Sequence, residues 1–192
     1  MSDFVDPGAA VPWLIDADGA GGVGALRLGQ PLPASVVELG DRELAQRYVA
    51  GYLGDGVAYE GFRLEHPPVT VVLARGPFAE LDRKGHDGAP PLELLRPRAL
   101  AAVREGATIA AILVHGRGLA TAEGFGVGST LRELEAAYAD LRLQRVPPTF
   151  GDDRAVATTA RLPGVAFCFA DFDAAQVGGE VTRVDLRIAD RG

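Results

Sequence analysis

The sequence has one cysteine, Cys168, one lysine, Lys84, and no asparagine among its 192 residues. A lone cysteine cannot close an internal disulfide, and its apolar neighbours in VAFCFADF predict a buried, unreactive thiol. The remaining 18 basic residues are all arginine, a bias typical of a GC-rich bacterial genome. We therefore attach no recognition role to the arginines from composition alone.

Long apolar runs and a targeting segment are also missing. No run reaches the roughly 18 apolar residues of a membrane helix, and Asp3 and Asp6 stand where a secretory signal carries Lys or Arg. These absences predict a cytoplasmic protein. The formal net charge of −7 disfavours nucleic acid and anionic membranes as partners, because both require clustered basic residues. It favours a neutral or basic protein partner.

Catalytic nucleophiles are scarce. The serines are Ser2, Ser35 and Ser129 alone. No G-x-S-x-G elbow accompanies VHGRG (114–118), whose form is similar to the oxyanion turn of serine hydrolases. The glycine-rich GFGVGST segment lacks the lysine of a phosphate-binding loop, so a tight turn is the simpler interpretation of its glycines.

Metal ligands are equally poorly placed. Asp16 and Asp18 begin like a calcium loop, but the twelfth position is Arg27 instead of Glu. The acidic pairs at 152–153 and 171–173 suit turns and strand ends, and the three histidines have no metal-ligand spacing. We predict no catalytic residue, no cofactor and no metal.

The most informative stretch present is 108–141, an apolar strand-like run followed by the glycine-rich turn and an amphipathic helix. Thr130 and Glu133 form a T-x-x-E capping box, so a helix should begin at Thr130. Four apolar residues then recur at helical spacing: Leu131, Leu134, Tyr138 and Leu141. Their spacing predicts one buried helix face.

The whole pattern predicts an α+β fold, an antiparallel sheet with helices packed on one face, built as two similar halves or as one elaborated domain. Further helices are expected at 41–53, with Asp41 as N-cap, and from Pro97 to Gly106. Strands are expected at 24–29, 57–65, 69–76, 109–116, 154–162, 165–172 and 181–188. The strand at 165–172 should be central and covered, whereas that at 181–188 should have one wet face.

These elements suggest an extended lead-in at 1–23, a first α+β unit at 24–115 with an inserted loop at 76–91, and a second unit at 116–192. A faint internal repeat has two competing registers. One aligns RELAQRY (42–48) with RELEAAY (132–138), and the other aligns GQPL (29–32) with GSTL (128–131). The sequence leaves the choice between them open.

The strand, the GFGVGST turn, the helix ending in Tyr138 and the following strands resemble the small α+β units of the β-lactamase-inhibitor-protein and outer-membrane-assembly small-lipoprotein superfamily. The resemblance rests on the pattern G-x-G-S/T-x-x-E-L and its tandem use, and covers 121–189 well and 24–75 loosely. It implies a binding module without catalytic residues that presents a curved sheet to a partner protein. The chain lacks the signal, lipid-acceptor cysteine and disulfides of that superfamily, which favours a cytoplasmic binder.

The leading functional hypothesis is therefore a non-enzymatic protein-binding module, an acidic inhibitor or immunity-type protein that masks a toxin or enzyme. Aromatic and arginine side chains of the first hairpin are the candidate partner contacts: Tyr59, Phe62, Arg63, Arg75 and Phe78. The first alternative is a small-molecule-binding or hydrolytic site around His115, Arg117 and Glu123. The second is a structural component of a larger bacterial assembly.

Overall fold

The computed structural model describes residues 13–16, 21–52, 58–73, 92–146 and 154–188. Its strands are β1 (Trp13–Asp16), β2 (Gly22–Val23), β3 (Leu26–Arg27), β4 (Tyr48–Tyr52), β5 (Ala58–Leu64), β6 (Val69–Leu73), β7 (Ile109–Val114), β8 (Leu119–Ala120), β9 (Arg142–Arg145), β10 (Ala155–Thr158), β11 (Val165–Phe169) and β12 (Val181–Arg187). Its helices are α1 (Ala34–Val37), α2 (Gly40–Arg47), α3 (Leu92–Arg104), α4 (Leu131–Ala137) and α5 (Phe172–Gln176).

Eight strands form one antiparallel sheet in the order β4-β5-β6-β7-β12-β11-β10-β9. The last strands of two successive meanders, β7 and β12, therefore lie side by side at its centre. A second sheet of four short strands has the order β3-β2-β1-β8, in which β1 and β8 are parallel. The predicted α+β class with an antiparallel sheet is confirmed.

One face of the large sheet, called here the helical face, is covered by the helices and the small sheet. A single apolar cluster joins side chains of both sheets to buried helix residues: Leu44, Ala99, Val103, Leu131, Leu134 and Ala175. Burying each large apolar side chain contributes about 1.5–3 kcal/mol. This cluster is the main core, and among the helix residues that the structure describes all the buried apolar ones belong to it.

The opposite face, called here the second face, carries the alternate residues of the same strands, namely Tyr59, Arg63, Thr70, Val72, Ala111, Leu113, His115, Val156, Ala166, Cys168, Arg183, Asp185 and Arg187. Its apolar residues form two small clusters, one centred on Leu113 and one on Cys168. Charged and polar side chains lie between these clusters.

The helix expected at 41–53 ends at Arg47, and the following residues form β4. Tyr48 begins this strand and pairs with Phe62 of β5, because aromatic and β-branched residues suit a pleated sheet better than a helix surface. Asp41 lies inside the first turn and is not the N-cap, which is Leu39. Leu44 is buried as expected.

The capping box at Thr130 is confirmed. The Thr130 hydroxyl accepts a hydrogen bond from the backbone N–H of Glu133 (3.3 Å), and the Glu133 carboxylate accepts one from the backbone N–H of Thr130 (2.7 Å). These two bonds satisfy donors that a helix start leaves open. The same bonds lower the pKa of Glu133, because they favour its ionised form.

Each of the seven predicted strand ranges contains a strand, and five more strands formed where none was predicted, namely β1, β2, β4, β8 and β9. The β5–β6 hairpin, β7, β10, β11 and β12 all lie within their expected ranges, and β11 is fully buried in the interior of the sheet. Within the expected lead-in, 13–16 form β1, with Ile15 in the core. The edge strand β9 had no apolar signal, because its sequence is RLQR. Helix α3 begins at Leu92 and contains Pro97 instead of starting there.

Two turns attach to the starts of β7 and β12 through the same pair of hydrogen bonds. Before α1, the backbone N–H of Gly29 donates to the carbonyl of Ile109 (2.7 Å), and the backbone N–H of Ile109 donates to the carbonyl of Gln30 (2.8 Å). Before α4, Gly128 donates to Val181 (2.8 Å), which donates back to the residue after Gly128 (2.7 Å). Both glycines have positive φ, 75° and 99°, a conformation that strongly favours glycine.

The same two strands also carry matching irregularities. The β6–β7 register shifts between Val72 and Leu73, and the β11–β12 register shifts between Cys168 and Phe169. Each shift leaves one extra residue on the later strand, as in a β-bulge. By contrast, Tyr48 begins a strand, whereas Tyr138 is the residue at which a helix ends. The register that aligns RELAQRY with RELEAAY therefore pairs two tyrosines in different secondary structures.

Candidate functional site

A buried carboxylate lies at the centre of the second face. Asp185 of β12 is fully buried and accepts two hydrogen bonds from the Arg183 guanidinium, at 2.6 and 3.0 Å. The Arg187 guanidinium lies 3.6 Å from the same carboxylate. Burial disfavours the charge on Arg183, but the adjacent Asp185 carboxylate outweighs it and raises the Arg183 pKa.

This cluster corrects the expectation that one side of 181–188 is wet. The alternation itself is right, since Val184 and Leu186 are buried in the main core. Its polar side, however, contains the fully buried Asp185, while the apolar Ile188 at the strand end is 60% exposed. The alternation pattern gives the side to which a residue points. It cannot reveal whether another part of the chain covers that side.

His115, just after β7, is the second component of the site. Its imidazole Nε2 lies 2.9 Å from the hydroxyl of Thr70 on β6. Burial, together with the smaller effects of the nearby Arg183 and Arg63 charges, lowers the pKa of His115 to about 4 against the opposing effect of Asp185. The histidine is therefore neutral at physiological pH.

Tyr59 and Arg63, both on β5, complete the site. Arg63 pairs in register with Thr70, the partner of His115, and its side chain is exposed. Tyr59 is half-buried, and burial raises the pKa of its hydroxyl. The charges of Arg183, Asp185 and Arg63 reach both Tyr59 and His115. The structure thus brings together residues from two separate predictions, Tyr59 and Arg63 as partner contacts and His115 as a pocket residue.

Gly61, between Tyr59 and Arg63 on β5, explains how these strands approach closely. A Cβ atom added there would lie 1.9 Å from the Val71 carbonyl oxygen. Any side chain at this position would therefore displace the backbone of β6.

The other two residues of the expected pocket have different surroundings. Arg117 forms an ion pair with Glu180, and Glu123 is exposed near the buried hydroxyl of Tyr138, whose pKa burial raises. His115 contacts Thr70 instead. The hydrogen bonds and ion pairs of these three described residues do not join His115, Arg117 and Glu123 to one another.

The remaining predicted partner contacts divide into two groups. Phe62 is fully buried in the main core, where it packs edge-on against Tyr48 with ring centroids 6.0 Å apart. It is a core residue with no surface to offer a partner. Arg75 and Phe78 lie outside the described residues.

The nucleophile candidates have structural roles. Burial raises the pKa of the Cys168 thiol to about 12, as expected for an unreactive cysteine. The Ser129 hydroxyl accepts a hydrogen bond from the backbone of Gly126 (3.1 Å), where an added Cβ would lie 2.1 Å from the Leu119 carbonyl oxygen. These distances support a tight turn in GFGVGST. No group of three potential metal ligands occurs among the residues that the structure describes.

A buried carboxyl on the helical face also stands out. Glu60 of β5 is 2% exposed and accepts a hydrogen bond from the Tyr48 hydroxyl (2.8 Å), while its Oε1 atom has no partner. Burial raises the pKa of Glu60 to about 7, against the lowering effects of Tyr48 and Arg98. Glu60 and Phe62 point to the same side of β5 because they are two residues apart. No sequence signal indicates that a carboxyl is buried there.

An open groove of about 580 Å³ lies beside α2, and it is lined by Leu39, Arg42, Glu43, Gln46, Arg47 and Glu65. Arg47 and Glu43 already form an ion pair across one helical turn (2.7 Å). The groove is polar and its charges are mixed, so it selects no ligand class.

Comparison with known proteins gives no family. No family model and no curated protein matches the chain. The crystal structure of the uncharacterized protein yfeY from Escherichia coli is similar, with 14% sequence identity, a TM-score of 0.44 and coverage of 87% of this chain and 96% of that one. A likeness this distant supports no conclusion about function. In the described part of the chain, no helix has the length and apolarity to cross a membrane.

Proposed function

We propose that this chain is a non-enzymatic protein-binding module whose binding surface is the second face around Tyr59, Arg63 and His115. The observation that carries the proposal is that these residues share one face, where Arg63 pairs in register with Thr70, the partner of His115. The charges of Arg183 and Asp185 act on both Tyr59 and His115. Tyrosine and arginine are enriched among the residues that dominate binding energy at protein interfaces. The Arg183–Asp185 pair fixes the arginine in one geometry beside them.

An inhibitor or immunity-type role in the cytoplasm is the form of this proposal that the sequence favours. The resemblance to the β-lactamase-inhibitor-protein superfamily supports it, because proteins of that kind bind partners through a sheet. The fully buried Asp185 and neutral His115 give the face a fixed arrangement of charges, and such preorganisation lowers the cost of binding.

We also infer that the large sheet comprises two similar halves, α1 to β7 and α4 to β12. The matching hydrogen bonds of Gly29 and Gly128 and the matching bulges beside Leu73 and Phe169 support this inference. They favour the register that aligns GQPL with GSTL over the one that aligns the two R-E-L segments. The site then includes the junction of the halves, where β7 and β12 pair, and extends across β6 to β5.

The experiment is affinity capture of the tagged full-length chain from lysate of the cells that produce it, followed by mass spectrometry. We expect one stoichiometric partner for the wild type and its loss from a Tyr59→Ala, Arg63→Glu variant. The matched control is Arg132→Glu, because Arg132 is exposed on α4, which covers the helical face.

Circular dichroism and thermal unfolding of all three proteins would show that each is folded. Equal retention of the partner by the wild type and the double variant would refute the second face as the binding surface. Absence of any specific partner at native abundance would count against a binding module altogether.

A further inference from the structure

Glu60 is a buried carboxyl that the proposed binding surface does not use. It points to the helical face from β5, is 2% exposed and accepts one hydrogen bond, which the Tyr48 hydroxyl donates to its Oε2 atom (2.8 Å). Its Oε1 atom is buried and, among the described residues, has no donor within hydrogen-bond distance. A single hydrogen bond does not replace the hydration that a carboxylate loses on burial, so ionisation of this group is costly while it stays buried.

The groups that act on this carboxyl come from β4 and α3. Arg98 is exposed and favours the ionised carboxyl through its charge, although these two described residues form no ion pair. The charge of Arg96, also on α3, acts on the Tyr48 hydroxyl. Burial outweighs the effects of Tyr48 and Arg98 and raises the pKa of Glu60 to about 7.

The charged side chains of α2 interact with groups other than Glu60. Asp41 forms an ion pair with Arg104 of α3, and both side chains are more than half exposed. The remaining charged side chains of α2 line the groove beside that helix, namely Arg42, Glu43 and Arg47. Accordingly, no charge of α2 is among the effects on the Glu60 pKa.

The α2–β4 corner, residues 40–52, lies against this carboxyl and is held by few buried contacts. Tyr48 joins its two elements, and α2 packs against β5 and α3. Within α2 only Leu44 is buried, and β4 is an edge strand that pairs with β5 alone among the described strands. The exposed ion pair between α2 and α3 contributes little. A segment with so few buried contacts opens locally at a lower cost than the whole protein unfolds.

We propose that Glu60 is a proton-controlled switch for the α2–β4 corner, which stays docked on β5 while the carboxyl is protonated and opens to hydrate the carboxylate when it ionises. Opening would also uncover Phe62, which packs against the Tyr48 ring, and would dismantle the groove beside α2. The inference concerns the helical face. It therefore goes beyond the binding function proposed for the second face and does not depend on it.

The linkage between proton binding and opening gives the direction of the effect. Opening returns the pKa of Glu60 from about 7 to its ordinary value of 4.5. The open form then binds the proton less tightly, so opening becomes more favourable as pH rises between these two values. From about pH 5 to about pH 8, this difference should increase the open population up to about a hundredfold.

Backbone hydrogen exchange of the full-length chain, followed by mass spectrometry, tests the proposal. The reference is Glu60→Gln, which keeps an acceptor for the Tyr48 hydroxyl but cannot ionise. Comparison at equal pH cancels the intrinsic pH dependence of exchange. For the amides of residues 40–52, the ratio of the wild-type rate to the variant rate should rise up to about a hundredfold from about pH 5 to about pH 8. A ratio that does not change with pH would overturn the proposal.

Two controls separate local opening from other causes. Glu65→Gln removes an exposed carboxyl that lines the groove beside α2, and this variant should exchange like the wild type at every pH. The amides of β11, a buried strand in the interior of the sheet, should exchange more slowly than those of residues 40–52. Equal rates in these two regions, or the Glu60→Gln effect reproduced by Glu65→Gln, would overturn the proposal.

A Tyr48→Phe variant tests the hydrogen bond itself. The Tyr48 hydroxyl lowers the pKa of Glu60 because it stabilises the ionised carboxyl. Its removal should therefore move the upper end of the rise in exchange to higher pH. An unchanged upper end would show that the rise does not come from Glu60 and would overturn the proposal.

Discussion

The two faces of the large sheet are built from the same strands but differ in how their residues are buried. On the helical face one continuous apolar cluster joins the sheet to four helices. On the second face two small apolar clusters flank the ion pair of Arg183 and Asp185. The alternation of side chains along a β-strand determines which residues share a face of the sheet. The tertiary packing against that face determines how deeply those residues are buried.

The two central strands show the same contrast at residue level. Each strand has a bulge, and the next two second-face residues after it are Ala111 and Leu113 in β7. The corresponding residues in β12 are Arg183 and Asp185. Because the backbone registers match, the charge at this site comes from side-chain choice alone. The following predictions test this comparison.

The largest effect is expected at Phe62, which is fully buried on the helical face. Phe62→Ala should lower the free energy of unfolding by about 3–5 kcal/mol, because it removes a large side chain and leaves a cavity in the main core. Urea denaturation followed by circular dichroism measures the change.

The matched control is Tyr59→Ala on the same strand. Tyr59 is half-buried on the second face, so its loss should cost clearly less stability than that of Phe62. Equal losses at the two positions would mean that the second face contributes as much packing as the main core.

A somewhat smaller effect is expected at the buried ion pair. Asp185→Asn should destabilise the protein by about 3 kcal/mol, since it leaves the Arg183 charge without its carboxylate. Arg183 keeps 16% side-chain exposure, which places the cost at the lower end for buried pairs. Chemical denaturation with an unchanged m-value would identify the loss as one of stability.

The compensating variant gives β12 the residues of β7. Replacing Arg183 by Ala and Asp185 by Leu together should restore stability to within about 1 kcal/mol of the wild type, because an apolar pair avoids the cost of burying charge. Persistent destabilisation of the double variant would show that the ion pair itself contributes net stability.

The smallest effect is a pH dependence of opposite sign on the two faces. Burial raises the pKa of Glu60 from 4.5 to about 7, so the folded state binds its proton more tightly and stability falls as pH rises between these values. Burial lowers the pKa of His115 from 6.5 to about 4, so the unfolded state binds more protons and stability rises over that range. The two slopes oppose each other between pH 4.5 and 6.5.

Single variants separate the two contributions. Relative to the wild type, Glu60→Gln should make the slope of stability against pH more positive and His115→Gln should make it more negative, each by at most about 1.4 kcal/mol per pH unit. Thermal unfolding at half-unit steps of pH measures the slopes. If Glu60→Gln left the slope unchanged, the unpartnered Oε1 atom would have to be solvated in the folded protein.

Local sequence signals predicted much of the fold. The capping box at Thr130, the β5–β6 hairpin and the covered strand β11 all rested on interactions between near neighbours in the chain. Predictions from local patterns were wrong where pairing between distant strands determined the structure. The segment after Arg47 became an edge strand because β5 offered it hydrogen-bond partners, and RLQR became β9 although only pairing with β10 supports it.

The candidate site was predictable only in part. Tyr59, Arg63 and His115 were candidates by residue type, since aromatic, arginine and histidine side chains carry most binding and acid–base chemistry. Nothing in the sequence placed the three together, because β5 and β7 become neighbours of one site only through β6. Asp185 was missed, as alternation with apolar residues is the usual mark of a solvated position.

The sequence by itself determined the α+β class, the helix start at Thr130 and the sides to which the residues of β11 and β12 point, since these depend on periodicity and short-range hydrogen bonds. Only the tertiary structure decided that β7 and β12 meet at the centre of the sheet. That meeting buries Asp185 beside Arg183 and brings His115 into their electrostatic field. Such long-range pairings depend on the whole core, so no local pattern encodes them.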